Sequence, residues 1–387
     1  MASGRHALLA LPLLLWLPAA SAHVKWLHPA LGAAHLPPVP PYSLREAAVV
    51  IGLELLVGAL LLARQLDLLL RRAPGGRICC HHGLRHWPLI RRAMQLLLGV
   101  ALLSSSFDGA LLAPHLRGTG ASFALALLMQ AGAGLLLVLD RLPTLAAGLV
   151  AVLGLLLLPL FGAQSFCEYL LYLGLAAVLG QPGGGPPDPE RLRALRICLG
   201  LSLVTLACTE KLLDPQLALE LLRQAPLNFM AALGLDFPDR LFVLSAGYVE
   251  LLFGGLFLTG ALNRLNGLAL LGFLLASNSY FLWLGDTDSA LLEAAGHAPL
   301  LAALLPLLCL GRGAEPSYQR LLARRGHQPP HPPAGFWLPA PFANCVWVAL
   351  LLLAEPLRQL DRRLLAPLLR PLLPLKPENP TAPESPR

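Results

Sequence analysis

The chain has 387 residues, of which 56% are hydrophobic and only 13% charged, with a formal charge of +7. A soluble domain carries about a quarter charged residues, so this composition excludes an ordinary soluble protein and points to a helical membrane protein. Nor does the positive balance indicate nucleic acid, because the basic residues sit in alternate loops between apolar runs, which is a topology signal.

Residues 1–22 read as a secretory signal: Arg5 supplies the positive start, 7–18 is mostly apolar, and Ala20-Ser21-Ala22 is a small-residue cleavage site. Cleavage makes His23 the mature N-terminus. A Pro-rich segment, 23–45, leads to a first predicted span at 46–64. The loop 65–92 that follows is strongly basic, with Arg71, Arg72, Arg77, Arg85, Arg91 and Arg92. Further spans are predicted at 93–113, 122–140, 144–160, 163–180, 196–210, 242–262, 265–284 and 298–311. A Gly/Pro-rich linker, 181–195, divides them into two groups. After a basic, Pro-rich linker, 312–341, the segment 342–373 either crosses, re-enters or lies along the interface, and the tail 374–387 reads as disordered. Several runs reach the ~17–25 residues that cross a bilayer, and Leu/Ala/Gly-rich runs without strand alternation do so as helices. The total is nine or ten spans. Sixteen basic residues fall in predicted cytoplasmic segments against six outside. That asymmetry predicts a multi-pass protein with its mature N-terminus and the loop 285–297 on the outer, periplasmic side. The seven cysteines form no secreted disulfide pattern and read as packing residues.

The chain also repeats its layout. RRAMQLLLGVALLSSSFDG parallels LRICLGLSLVTLACTEKLLD, and LLMQAGAGLLLVLDR, with Gln130, parallels YVELLFGGLFLTGALNR, with Glu250. FCEYLLYLGLAAVLG, with Glu168, parallels GHAPLLAALLPLLCLG, and Arg141 parallels Arg264 at the inner ends. These similarities predict two units, 93–180 and 196–311, in the same orientation. The plainer reading is that leucine-rich segments resemble one another by composition.

Ionisable residues inside apolar runs are costly and therefore usually paired, bundle-facing or functional. Glu250 is the foremost candidate: it lies within its run, with Gly254, Gly255 and Gly260 below it. Its structural alternative is a hydrogen bond to the helix carrying Asn278. Glu210 and Lys211 close the preceding run, where an interfacial salt bridge is the plainer reading. Glu293 and His297 share a helical face at i, i+4, although a histidine at a helix start is commonly interfacial. Glu250, His297, Glu210 and Lys211 are the candidate catalytic residues. At the N-terminus, HVKWLHP offers His23, with its free amine, and His28 or His35 as copper ligands, resembling in its first residue the mature periplasmic copper-binding proteins of the CopC type. One histidine beside a cleavage site also arises by chance. The motif CCHHGLRH matches no standard zinc spacing.

The order LACTEKLLDP, YVELLFGGLFLTGALNR and EAAGHAPLLAALLPLLCLG, across residues 195–311, resembles the DoxX family of small four-helix membrane proteins, some of which are linked to quinone-coupled sulfur oxidation. The resemblance implies an all-α polytopic fold of two tandem DoxX-like four-helix bundles, the first degenerate. It further implies the bacterial inner membrane as location, envelope redox chemistry, a quinone as cofactor, and a redox partner subunit or a homo-oligomer in the lipid bilayer. A transporter or copper-handling protein is the alternative from another class, and a purely structural membrane subunit is the third. The sequence shows no Walker loop, dinucleotide fingerprint, HExxH or GxSxG elbow, which argues against a hydrolase or ATPase.

Overall fold

The computed structural model describes residues 39–70, 83–224 and 227–312, and every element within them is helical. In chain order these are α1 (Ala47–Leu70), α2 (Trp87–Phe107), α3 (Ala121–Val138), α4 (Pro143–Glu168), α5 (Leu171–Leu179), α6 (Pro189–Ala207), α7 (Gln216–Gln224), α8 (Phe229–Ala232), α9 (Asp239–Thr259), α10 (Asn263–Trp283) and α11 (Thr287–Cys309). A π turn, Cys208–Leu212, extends α6. Among the described residues, eight helices are long and apolar enough to cross a bilayer: α1 to α4, α6 with its π turn, and α9 to α11. Large apolar side chains such as Leu55, Leu62, Leu128 and Leu155 point outward, as expected where lipid is the solvent. This is the architecture of a multi-pass membrane protein.

The helix limits depart from the predicted spans where polar residues interrupt hydropathy. The predicted loop 285–297 is mostly the first turns of α11, whose N-cap Asp286 accepts a hydrogen bond from the Ser289 amide. The loop 65–92 shortens because α1 runs to Leu70 and α2 starts at Trp87, and α6 starts early, at Pro189, where proline suits a first turn. The predicted span 163–180 is a broken helix. Pro159 withholds an amide, Gly162 takes φ 88°, and the chain then returns along α6 with a second interruption between α4 and α5. On this return Glu168 lies beside Thr209, Leu171 beside Ser202 and Ala177 beside Arg191. The signal segment, the segment carrying His23 and His28, and the C-terminal segment 342–373 lie outside the described residues.

The packing order differs from two self-contained bundles. Antiparallel pairs α2–α3 and α6–α9 are matched by the pairs α4–α5 and α10–α11. The free flank of α2 then lies against α11, and that of α6 against α5. Each half is therefore closed by the last helix of the other, and one apolar core runs through both, from Leu84 to Leu310. Helix α1 stands outside on α9, where the Tyr248 ring covers Gly52 and its hydroxyl donates to the Val49 carbonyl at 2.6 Å.

Several local features occur once in each half. Gly99 meets Gly134 at the α2–α3 crossing, and Gly200 meets Gly254 at the α6–α9 crossing. A Cβ on any of the four would stand 2.8–2.9 Å from its partner's carbonyl oxygen, so only glycine lets these backbones approach. Arg92 donates to the carbonyls of Leu137 and Val138, and Arg196 to those of Phe257 and Leu258, capping the ends of α3 and α9. Both α4 and α10 begin after a leucine in the left-handed region, Leu142 at φ 44° and Leu262 at φ 48°. The offset that carries Gly134 onto Gly254 also carries Gln130 onto Glu250. It carries Arg141 onto Ala261, however, which corrects the predicted Arg141–Arg264 match. These arginines, with Arg312 on Asp67 at 3.3 Å, mark one end of the bundle. Tyr42, Leu212 and Arg240 mark the other.

Candidate functional site: a buried polar cluster

Glu250 lies midway along α9 and is buried. One turn before it, Gly247 leaves room for the π turn of α6, since a Cβ there would meet the side chains of Leu212 and Lys211. A π turn carries one more residue than an α turn, and such insertions recur at functional sites. Here it carries the helix on to Leu212 and puts Lys211, only 1% exposed, on Glu250, with Nζ donating to Oε1 at 2.7 Å. A desolvated pair of this kind holds only with close geometry, because each charge has given up its water.

The α10–α11 pair brings a second group to the cluster. Ser277 Oγ donates to Glu293 Oε2 at 2.6 Å. His297 Nδ1 stands 3.5 Å from that same oxygen and 3.2 Å from Asn278 Nδ2, which also donates to the Leu274 carbonyl. The imidazole nitrogen thus stands between a donor and an acceptor. Unprotonated, it accepts from the Asn278 amide; protonated, it donates to Glu293. Lys211 is near enough to Glu293 for their charges to interact. At 1.5 Å per residue, Glu293 lies ~9 Å and His297 ~15 Å below the start of α11, so both sit in the N-terminal half of that helix. Glu210, also buried, sits on the same π turn as Lys211.

The segment before α1 covers this end. The Tyr42 amide donates to the Leu212 carbonyl at 3.4 Å, and its hydroxyl donates to the Arg240 carbonyl. Arg240 stacks over the Tyr42 ring at 4.4 Å and pairs with Glu46 at 3.1 Å. Burial pushes the Tyr42 hydroxyl above its ordinary range, which keeps it protonated as a donor.

At the matching place in the first half, Gln130 is satisfied by the protein itself. Its Nε2 donates to the carbonyls of Leu102 and Ala110 and to Ser106 Oγ, and its Oε1 accepts from the Leu112 amide. The segment 110–113 folds inward to make these bonds, at the level where the second half has Lys211. The second half differs in a specific way: Glu250 Oε2 and Glu293 Oε1 are buried without a hydrogen-bond partner among the described residues.

The four candidate catalytic residues thus all lie inside the bundle. Glu210 and Lys211 are buried near the end of the α6 span, and the salt bridge that Lys211 makes is to Glu250 inside the bundle. His297 is not at a helix start, because α11 begins ten residues earlier. Glu250 pairs with Lys211, and Asn278 instead meets His297. Ser277, Glu168 and Thr209 were not singled out as site residues by sequence reasoning, since single polar residues in apolar runs do not announce their partners. The proposed copper ligands His23 and His28 lie outside the described residues, and among those described no three His, Cys, Asp or Glu side chains converge as a metal site. Comparison with family models, with characterised proteins and with solved structures yields no match.

Proposed function

We propose that this chain is a duplicated, DoxX-like protein of the bacterial inner membrane that works in quinone-linked redox chemistry, with the cluster end toward the periplasm. The paired glycine crossings, arginine caps and left-handed leucines support the duplication. The arginine-rich end supports the orientation. The function rests on one observation: Lys211 joins Glu250 and lies near Glu293, and one oxygen of each carboxylate has no partner among the described residues. Such a site fits a ligand with two oxygen functions, because an ammonium can donate to a carbonyl and carboxylates can accept from hydroxyls. A quinone would supply two-electron, two-proton redox chemistry. Electrons would come from a redox centre on a partner subunit, while Lys211, Glu250 and Glu293 orient the ligand and exchange its protons.

Binding tests this reading. Full-length protein in nanodiscs should bind a ubiquinone or menaquinone analogue, and Glu250→Gln should weaken that binding at least tenfold while leaving the fold intact. Gln still accepts from Lys211, and Glu293 remains a charge partner. Unchanged binding, or no binding by the wild type, refutes the quinone role. A transport reading draws on the break at Gly162 beside buried Glu168, since discontinuous helices line many transport sites. Accumulation of a labelled solute in proteoliposomes without quinone binding would favour it.

A further inference from the structure

A further buried acid lies next to this cluster, and it comes from the other half. Glu168, 1% exposed, lies on the returning segment after Gly162. Its Oε1 accepts from Gln164 Nε2 at 2.9 Å and from Thr209 Oγ1 at 2.7 Å. Thr209 belongs to the same π turn as Glu210 and Lys211. One helical turn thus presents Thr209 to Glu168 and Lys211 to Glu250. The Leu171 amide, donating to Ser202 Oγ at 2.9 Å, pins this segment to α6.

We infer that Glu168 is a further proton-exchanging acid of the site, supplied by the first half of the chain and served by the Thr209 hydroxyl. Thr209 Oγ1 lies 2.7 Å from Glu168 and 2.9 Å from the Thr205 carbonyl, and a hydroxyl has one proton and two lone pairs. When Glu168 is ionised, Thr209 donates to it alongside Gln164. When Glu168 is protonated, its own O–H donates to Thr209 Oγ1, and the threonine proton turns to the Thr205 carbonyl. Both states are hydrogen-bonded without moving a heavy atom. An acid with a purely structural role needs only one of them. Gln164 and Glu168 stand i, i+4 like Glu293 and His297, so each half places a polar pair on its last transmembrane segment.

The titratable groups around Glu168 are Cys167 and Tyr169 on its own segment, Tyr172 on α5, His115 on the segment before α3, whose ring lies 6.0 Å from that of Tyr169, and Cys208, Glu210 and Lys211 on the π turn that carries Thr209; α3, packed on α4, brings none. The proposed role rests on the quinone reading, which needs two protons per turnover, but the titration of Glu168 does not depend on it. Infrared difference spectra of the full-length protein in nanodiscs, without quinone, test it across a pH series. The wild type should show carboxylic C=O bands that vanish as the pH rises, and Glu168→Gln should delete one. Thr209→Val should keep that band and move its midpoint by about one to two pH units, the worth of one hydrogen bond to a charged group. If every wild-type band persists in Glu168→Gln, or if Thr209→Val leaves the titration unchanged, the inference is wrong. Thr209→Val decides alone if Glu168→Gln does not accumulate in the membrane. A titrating Glu168 in a protein that binds no quinone overturns the quinone reading and leaves this one standing.

Discussion

At the scale of single residues, the cost of burying charge explains most of the site. Lys211 and Glu250 persist in the interior because each neutralises the other at 2.7 Å. Removing one partner of such a pair costs about 3–5 kcal/mol, whereas replacing both with apolar residues of similar volume is often neutral. We therefore expect Lys211→Met to destabilise the protein by roughly that amount in SDS titration from mixed micelles. The double substitution Lys211→Met with Glu250→Leu should recover most of the loss. A double variant no more stable than the single one would mean that the two side chains do not depend on each other. The sequence made Glu250 legible because a carboxylate amid leucines is conspicuous. It did not make Lys211 legible as its partner, because that depends on a π turn that no local pattern marks.

At the scale of elements, close backbone approach decides where the helices cross. Gly254 is one of four glycines that work in reciprocal pairs, and a Cβ there would stand 2.7 Å from Val204 Cγ2 as well as 2.9 Å from the Gly200 carbonyl. Gly254→Val should force α6 and α9 apart, at about 1–3 kcal/mol for overpacking, and should also weaken ligand binding, since Lys211 and Glu250 face each other across this contact. Gly272 has nothing within 4 Å of its Cβ position, so Gly272→Ala should be neutral or slightly stabilising in the same assay. Equal losses at both positions would show that glycine content, and not the crossing, sets stability. The apolar runs that form these helices were plain in the sequence. Their ends were not, because Asp288, Glu293 and His297 depress hydropathy inside α11, and Pro159 and Gly162 split a single run.

At the scale of the whole molecule, the two halves are interleaved: α2 closes against α11 and α6 against α5. The layout on which the proposed duplication rests was visible as a shared order of polar residues. The exchange of last helices was not, because sequence order says nothing about which half a helix packs against. This interleaving is what brings Glu168 of the first half to the π turn of the second. The acidic cluster lies toward the end of the bundle marked by Tyr42 and Arg240, while the other end is held by Arg92, Arg196 and Arg312. On the proposed function, this cluster exchanges protons with the side of the membrane at its own end. The most direct test fixes the pH independently on the two sides of proteoliposomes with known protein orientation and measures binding of a fluorescent quinone analogue. Binding should follow the pH on the side of Tyr42 and Arg240, and Glu250→Gln should flatten that dependence. Binding that follows the pH at the arginine end, or that ignores both, would contradict the account.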